Sequence, residues 1–122
     1  MERYTMTSKT IGEQLGNIDH IRFEISNAII GANNSGDTVT ARLLSPVLEA
    51  LDDHRGDVLI PALRRASSME QIVAMRADEK AELSGEQIRL KHGSTIEQIE
   101  RGLVRQDEYA ASRAKAALEA YA

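Results

Sequence analysis

Apolar residues recur along the chain with the period of an α-helix. The first apolar stripe follows a capping box made by Thr10 and Glu13, and it ends at a polar loop that begins at Gly31. Its main positions are Ile11, Leu15, Ile18, Ile25 and Ile29, and it is widened by Ile21, Ala28 and Ile30. The spacing predicts a helix near residues 10–30 with a core-facing side.

The second apolar segment contains a proline. A helix near residues 38–55 is predicted from one apolar side, formed by Val39, Leu43, Leu44, Val47, Leu48 and Leu51. At Ser45-Pro46 the helix either kinks or starts afresh with Ser45 as its cap, because proline has no N–H to donate. We predict a kink, since the apolar spacing continues through the proline.

The middle of the chain is harder to assign. Gly56 and Pro61 bracket a short apolar run, for which we predict a tight connection with a buried tip. Beyond it we expect helical segments at residues 61–66 and 68–92, with a capping box from Ser67 to Glu70 and a stop at Gly93.

A further capping box, from Ser94 to Glu97, precedes a last helix predicted at residues 95–121. Short connections favour antiparallel neighbours. The pattern therefore predicts an all-α fold, an antiparallel bundle of four to five helices that dimerisation would complete. We expect a single domain over residues 10–122 and a flexible segment over residues 1–9.

The last helix has apolar or small residues on a seven-residue spacing, whereas large aliphatic residues concentrate before Val73. This imbalance suggests that the last helix completes its burial on a second chain, either in a homodimer or with a helical heteropartner. The predicted interface consists of Ile96, Ile99, Leu103, Ala110, Ala117 and Tyr121.

Composition narrows the function. The chain has 122 residues, 42% of them apolar and 28% charged, and no cysteine, which excludes thiol enzymes and cysteine-bound zinc. Its net charge of −4 forms no basic stripe, so we expect no direct contact with nucleic acid or with an anionic membrane. The first ten residues are polar, unlike a secretory signal, and no apolar run approaches the roughly 20 residues of a membrane span.

No motif fixes a chemistry. The three histidines, His20, His54 and His92, are dispersed, and no Glu-x-x-His pair of the kind used by di-iron bundles occurs. Serine and threonine fall mainly at helix caps and loops, and the loop from Gly31 to Gly36 lacks the lysine of a phosphate-binding loop. We therefore predict no catalytic residues, no metal and no cofactor.

One resemblance lies in the last helix, where Leu103-Val104-Arg105-Gln106-Asp107-Glu108 precedes an alanine-rich tail. This segment resembles the end of the small helical-hairpin substrates of type VII secretion, which are named for a Trp-x-Gly turn. Their export signal has the form Tyr-x-x-x-Asp/Glu; here Leu103 stands at the tyrosine position, Asp107 lies four residues on, and the chain has no tryptophan. The resemblance implies a dimer of helical hairpins, export without a cleaved signal peptide, and no enzymatic activity.

Three classes of function stay open. The first, which we favour, is a non-enzymatic helical protein-interaction module, cytoplasmic or exported in the type VII manner. The second is a small regulatory or phage-type adapter acting on nucleic-acid machinery. Arg64 and Arg65, with Arg55 nearby, form a local basic group that could contact phosphates, but neighbouring aspartates largely neutralise it, and we favour a solvated helix face. The third is a metal-binding helical bundle.

Overall fold

The computed structural model describes residues 7–120, and their secondary structure is helical, which confirms the all-α class. The elements in chain order are α1 (Ser8–Asn34), α2 (Thr38–His54), a π-helical turn (Arg55–Leu59), α3 (Ile60–Lys80), α4 (Gly85–His92) and α5 (Ile96–Ala120). The chain divides after Arg64 into two compact units, described separately below as unit one and unit two. A single bundle over residues 10–122 stays a prediction.

Helix α1 begins earlier than predicted. The Oγ1 atom of Thr7 accepts a hydrogen bond from the backbone N–H of Thr10 at 3.2 Å, so Thr7 is the cap and Thr10 lies inside the helix. The predicted cap at Thr10 is therefore wrong, and residues 7–9 belong to the start of the helix. The flexibility predicted for residues 1–9 stays a prediction, and residues 1–6 lie outside the described residues.

The turn after α1 is made by one glycine. Helix α1 continues past Gly31 to Asn34, and Gly36 then adopts a positive φ of 78°, a conformation that glycine reaches without steric cost. Asp37 caps α2 by accepting a hydrogen bond from the backbone N–H of Thr40 at 3.1 Å. Hydrogen bonds from the Thr40 side chain and backbone also lower the pKa of Asp37.

In unit one, α1 and α2 pack as an antiparallel pair, and the π-helical turn contacts both. Arg22 pairs with Asp52, and Arg55 pairs with Asp19, so the residue number rises on one helix as it falls on the other. The core contains buried Ile11, Ala32, Ala41 and Leu59, with half-buried Leu15, Ile18, Ile25, Ile29, Leu44, Leu48 and Leu51. The main stripe of α1 is as predicted, but Ile21, Ala28 and Ile30 are exposed.

Helix α2 is continuous through Pro46. The hydroxyl of Ser45 donates a hydrogen bond to the carbonyl oxygen of Ala41 at 2.8 Å, so Ser45 acts within the helix and does not cap a new one. Pro46 cannot donate to the carbonyl of Arg42 four residues earlier, which leaves this one bond of the helix unmade.

The predicted tight connection after α2 is wrong, because the chain stays helical from Thr38 to Lys80. Within the π-helical turn the backbone N–H of Ile60 donates to the carbonyl of Arg55, five residues earlier. Pro61 follows directly, and the wider turn accommodates a residue that lacks an N–H and whose ring would crowd an α-helical carbonyl. The predicted buried tip holds for Leu59 but not for Val58, which is exposed.

Unit two contains the rest of α3 with α4 and α5. The capping box expected from Ser67 to Glu70 is wrong, because both residues lie inside α3. The predicted helix over residues 68–92 is wrong as one piece, because α3 ends at Lys80 and α4 begins at Gly85 with a reciprocal capping box between Ser84 and Gln87. Gly93, at a φ of 77°, ends α4 at the predicted stop.

The cap of helix α5 is Thr95, one residue later than the predicted cap Ser94, so the capping box expected from Ser94 to Glu97 is wrong. Thr95 accepts from the backbone N–H of Gln98 at 3.2 Å and donates its own N–H to the Gln98 side chain at 2.9 Å. Arg76 bonds Glu100 at 2.9 Å and Arg65 pairs with Asp107, so α5 runs antiparallel to α3. The buried apolar side chains described in this unit are Met75 and Ile88.

Candidate protein-interaction surface

Helix α2 carries a second row of apolar side chains, on the side turned away from α1. Val39, Leu43 and Val47 follow one another at intervals of four residues and are 62%, 69% and 46% exposed. The same side of the helix includes the exposed residues Pro46 and Ala50. These five residues are called the α2 outer face.

The prediction that all the large apolar residues of α2 lie on a single side of the helix is wrong. The row that contacts α1 consists of Ala41, Leu44, Leu48 and Leu51. Leu43 and Leu44 therefore point to different sides of the helix although they are adjacent in the chain. The sequence does contain a signal for the second row, because apolar residues recur at intervals of four, three and four from Val39 through Leu43 and Pro46 to Ala50.

Two charged residues lie along one edge of the α2 outer face. Arg42 and Glu49 each precede a residue of that face, are seven residues apart, and are both exposed. Within residues 7–120 neither has an ion-pair partner, in contrast to Arg22 and Asp52 between α1 and α2. Asp53 occupies the next position in the apolar row and ends it with a charge.

The interface predicted on α5 has two different environments. Ile96, Ile99 and Leu103 are half-buried in the part of α5 that lies beside α3, whereas Ala110 and Ala117 are exposed. Every residue from 107 to 120 is exposed. Tyr121 lies outside the described residues. The structure therefore places the first half of the predicted seam within unit two and leaves its second half uncovered.

The residues that resemble an export signal are also placed on α5. Leu103 is half-buried, and Asp107, one helical turn further on, is exposed and forms an ion pair with Arg65. The carboxylate of Asp107 is thus engaged by a residue of the same unit.

A four-residue ion network sets the register of α1 against α2. Asp19 accepts hydrogen bonds from Arg55 at 2.7 Å and from Arg22 at 3.3 Å, while Arg22 also pairs with Asp52. The Arg55 hydrogen bond is the main cause of the lowered pKa of Asp19. Arg55, which the sequence grouped with Arg64 and Arg65 as a basic cluster, is therefore neutralised within unit one.

A second polar cluster joins α3 to α4. His92 Nε2 lies 2.7 Å from Oδ2 of Asp78, Lys91 Nζ lies 3.0 Å from Oδ1, and the Gln71 side chain donates to the His92 carbonyl at 3.2 Å. The hydrogen bond with His92, followed by that from Lys91, lowers the pKa of Asp78. Nothing in the sequence spacing indicated this pairing, because the partners are separated by the turn between two helices.

The other two histidines have different surroundings. His20 is exposed and lies 4.0 Å from Glu24, and His54 is exposed at the end of α2. Across residues 7–120 the structure brings together no group of three or more histidine, aspartate or glutamate side chains suited to a metal ion. In the same range, no helix combines the length and the apolar character needed to cross a membrane.

Unit two also has an open groove of about 540 Å³, between the end of α3, α4 and the start of α5. Ile88 and Ile96 line its apolar part, and Glu79, Glu86 and Glu97 provide carboxylates at its edges, together with Arg89. Glu79 is bonded to Arg76 at 2.8 Å. The negative charge at the groove is therefore partly neutralised, and its carboxylates do not form a cluster suited to a metal ion.

Among the exposed large apolar side chains of residues 7–120, three in one row lie on the α2 outer face, namely Val39, Leu43 and Val47. The sequence matches no protein-family model, and the comparisons with curated proteins and with solved structures find no match to this chain.

Proposed function

We propose that this chain is a non-enzymatic protein-interaction module that binds a partner helix through the α2 outer face. The observation that carries the proposal is that α2 has apolar rows on two sides and α1 covers only one of them. Removal of apolar surface from water contributes roughly 25 cal/mol per Å², so an exposed row of this kind favours association. Continuous exposed apolar surface on a folded protein is typical of a binding site.

The form of the row supports a helical partner. Val39, Leu43, Pro46 and Ala50 follow the alternating intervals of four and three residues with which one helix packs against another. Charged side chains stand at the edge of the row and not within it, as at other protein interfaces, where charge is depleted from the centre.

Site-specific photocrosslinking in cells that express the chain tests this proposal. A photoreactive residue at Leu43 should yield a discrete protein adduct, and the same residue at Leu90 should not. Leu90 is the matched control, because it is equally exposed, at 69%, but lies on α4. Equal labelling at the two positions, or no adduct at Leu43, would refute a binding role for this face.

Export is a second candidate function, and the antiparallel pairing of α1 with α2 supports it, since the resemblance to type VII substrates implies a helical hairpin. We expect Asp107→Ala to reduce the amount of chain in the culture medium of the native host, and Glu108→Ala to leave it unchanged. Arg65→Ala removes the same ion pair but keeps Asp107. Secretion that falls equally in Arg65→Ala and Asp107→Ala would indicate a folding defect and not an export signal.

A further inference from the structure

The charges along the edge of the α2 outer face are of opposite sign and complement those of a second, antiparallel copy of the same helix. Arg42 and Glu49 lie on one edge, two helical turns apart. In an antiparallel helix pair, residues on the same edge of the two helices face each other. Arg42 of one chain would therefore lie opposite Glu49 of the other, and a two-fold axis would repeat this pair. In a parallel pair this edge would face the opposite edge of the partner helix, where Thr40 and Val47 lie, and no ion pair would form.

We propose that the partner on the α2 outer face is a second copy of this chain, with the two α2 helices antiparallel and joined by reciprocal Arg42–Glu49 pairs. This inference rests on the function proposed above, and it names the partner and its orientation. Both charged side chains are exposed and lack an ion pair within residues 7–120, so neither has to leave an existing partner. Complementary edge charges of this kind select partner and orientation in paired helices.

The apolar residues of the face also complement each other in the antiparallel arrangement. The larger Val39 and Leu43 stand towards the start of α2, and the less bulky Pro46 and Ala50 follow them. Two antiparallel copies therefore set Leu43 against Pro46 and Val39 against Ala50, so that each larger side chain meets a smaller one. Asp53 ends the row, which limits the contact to about three helical turns. An interface of this size indicates a reversible dimer.

Charge reversal tests the proposal through rescue. In sedimentation equilibrium at about 0.15 M salt, where long-range repulsion is screened, the purified full chain should dimerise. Arg42→Glu and Glu49→Arg should each weaken the dimer by about tenfold or more, because each places like charges opposite each other. The double variant R42E/E49R should restore dimerisation to within about threefold of the wild type. An equimolar mixture of the two single variants should form a heterodimer tighter than either homodimer.

Two controls separate this contact from others. Arg101→Glu on α5 produces the same change of net charge as Arg42→Glu at another exposed position, and it should leave dimerisation unchanged. Leu43→Lys should abolish the dimer with helical circular dichroism retained, because Leu43 has little contact with the rest of unit one.

Several results would overturn the inference. One is a wild-type chain that remains monomeric up to about 1 mM; others are a dimer that persists in Leu43→Lys, or single charge variants that the double variant does not rescue. If the purified chain is monomeric while the Leu43 photocrosslink captures a different protein, the proposed interaction function stands and self-pairing is wrong. If the chain dimerises and no adduct forms at Leu43, both proposals are wrong.

Discussion

His92 Nε2 lies 2.7 Å from Oδ2 of Asp78, and this contact joins the last residue of α4 to the last turn of α3. Both side chains are only 14% exposed, and Lys91 bonds the other oxygen of the same carboxylate. A carboxylate at the C-terminal end of a helix is disfavoured by the helix dipole, and here two basic side chains compensate for it. The turn between α3 and α4 therefore depends on the charge of Asp78.

The free energy of unfolding should accordingly depend on pH through the ionisation of the Asp78 carboxyl group. The pKa of Asp78 in the folded chain is lowered from 3.8, chiefly by the His92 hydrogen bond. The ionised carboxylate is therefore more stable in the folded state than in the unfolded state. The resulting stabilisation is present above pH 3.8 and is lost as the pH falls through the lowered folded value. Asp78→Asn should be less stable than the wild type at neutral pH, and the gap should close in acid.

Urea unfolding of the two proteins across this pH range measures the effect. Asp53→Asn is the matched control, since Asp53 is exposed and has no ion pair within residues 7–120, and it should track the wild type at every pH. A difference between Asp78→Asn and the wild type that stays constant from neutral to acidic pH would show that the carboxylate charge is not the cause.

Leu103 and Leu118 occupy one helix but differ in burial, which makes them a test of the α5 seam. Leu103 is half-buried beside α3, and Leu118 is 74% exposed. Leu103→Ala should lower the free energy of unfolding by about 1 to 2 kcal/mol, less than for a fully buried leucine. Leu118→Ala should change it by less than about 0.5 kcal/mol.

The oligomeric state of these two variants should be measured along with their stability. A dimer that weakens in Leu103→Ala, with no loss of stability when the chain is monomeric, would place the α5 seam between two chains. In that case the partner would bind the predicted interface of Ile96, Ile99 and Leu103, and it would not bind the α2 outer face.

The sequence predicted the helices better than it predicted their ends. Apolar spacing located the inner row of α1, and Gly93 marked a true stop, because a positive φ strongly favours glycine. Capping boxes misled where the residue types suit a helix interior equally well: Ser67 and Glu70 lie within α3, and Thr7 caps α1 in place of Thr10. A side-chain cap is a local choice between neighbouring hydroxyls, and spacing alone does not decide it.

The candidate surface was less predictable for a different reason. Helix α2 is apolar on two sides, and periodicity combines two rows into one wide stripe unless the number of neighbouring helices is known. Only the packing of α1 shows that Leu44 faces inward and Leu43 outward. In the α5 seam, by contrast, the sequence pattern extends further than the burial does. Its seven-residue spacing continues into residues 107–120, which are exposed.

Two residues with a positive φ should respond in opposite directions to substitution. Glu82 has a φ of 66° in the turn after α3, a strained conformation for a residue with a side chain, so Glu82→Gly should stabilise the chain by up to about 1 kcal/mol. Gly93 has a φ of 77° and open space around it, so Gly93→Ala should destabilise by about 1 kcal/mol through backbone strain alone. Thermal unfolding of both variants should show melting temperatures shifted to opposite sides of the wild type. A stabilised Gly93→Ala would be inconsistent with this turn.

Pro46 tests whether α2 is one helix or two. It is exposed and lies inside α2, where it leaves the carbonyl of Arg42 without its helical N–H donor. Pro46→Ala restores that donor and removes little packing, so it should raise the free energy of unfolding by about 1 to 3 kcal/mol. Ser45→Ala, which removes only the hydroxyl bond to Ala41, should change stability by less than about 0.5 kcal/mol.

If instead a new helix began here, with Ser45 as cap and Pro46 at its first position, Ser45→Ala would cost about 1 kcal/mol and Pro46→Ala would give no gain. The two variants, compared by urea unfolding, therefore separate the continuous helix from the broken one by opposite patterns.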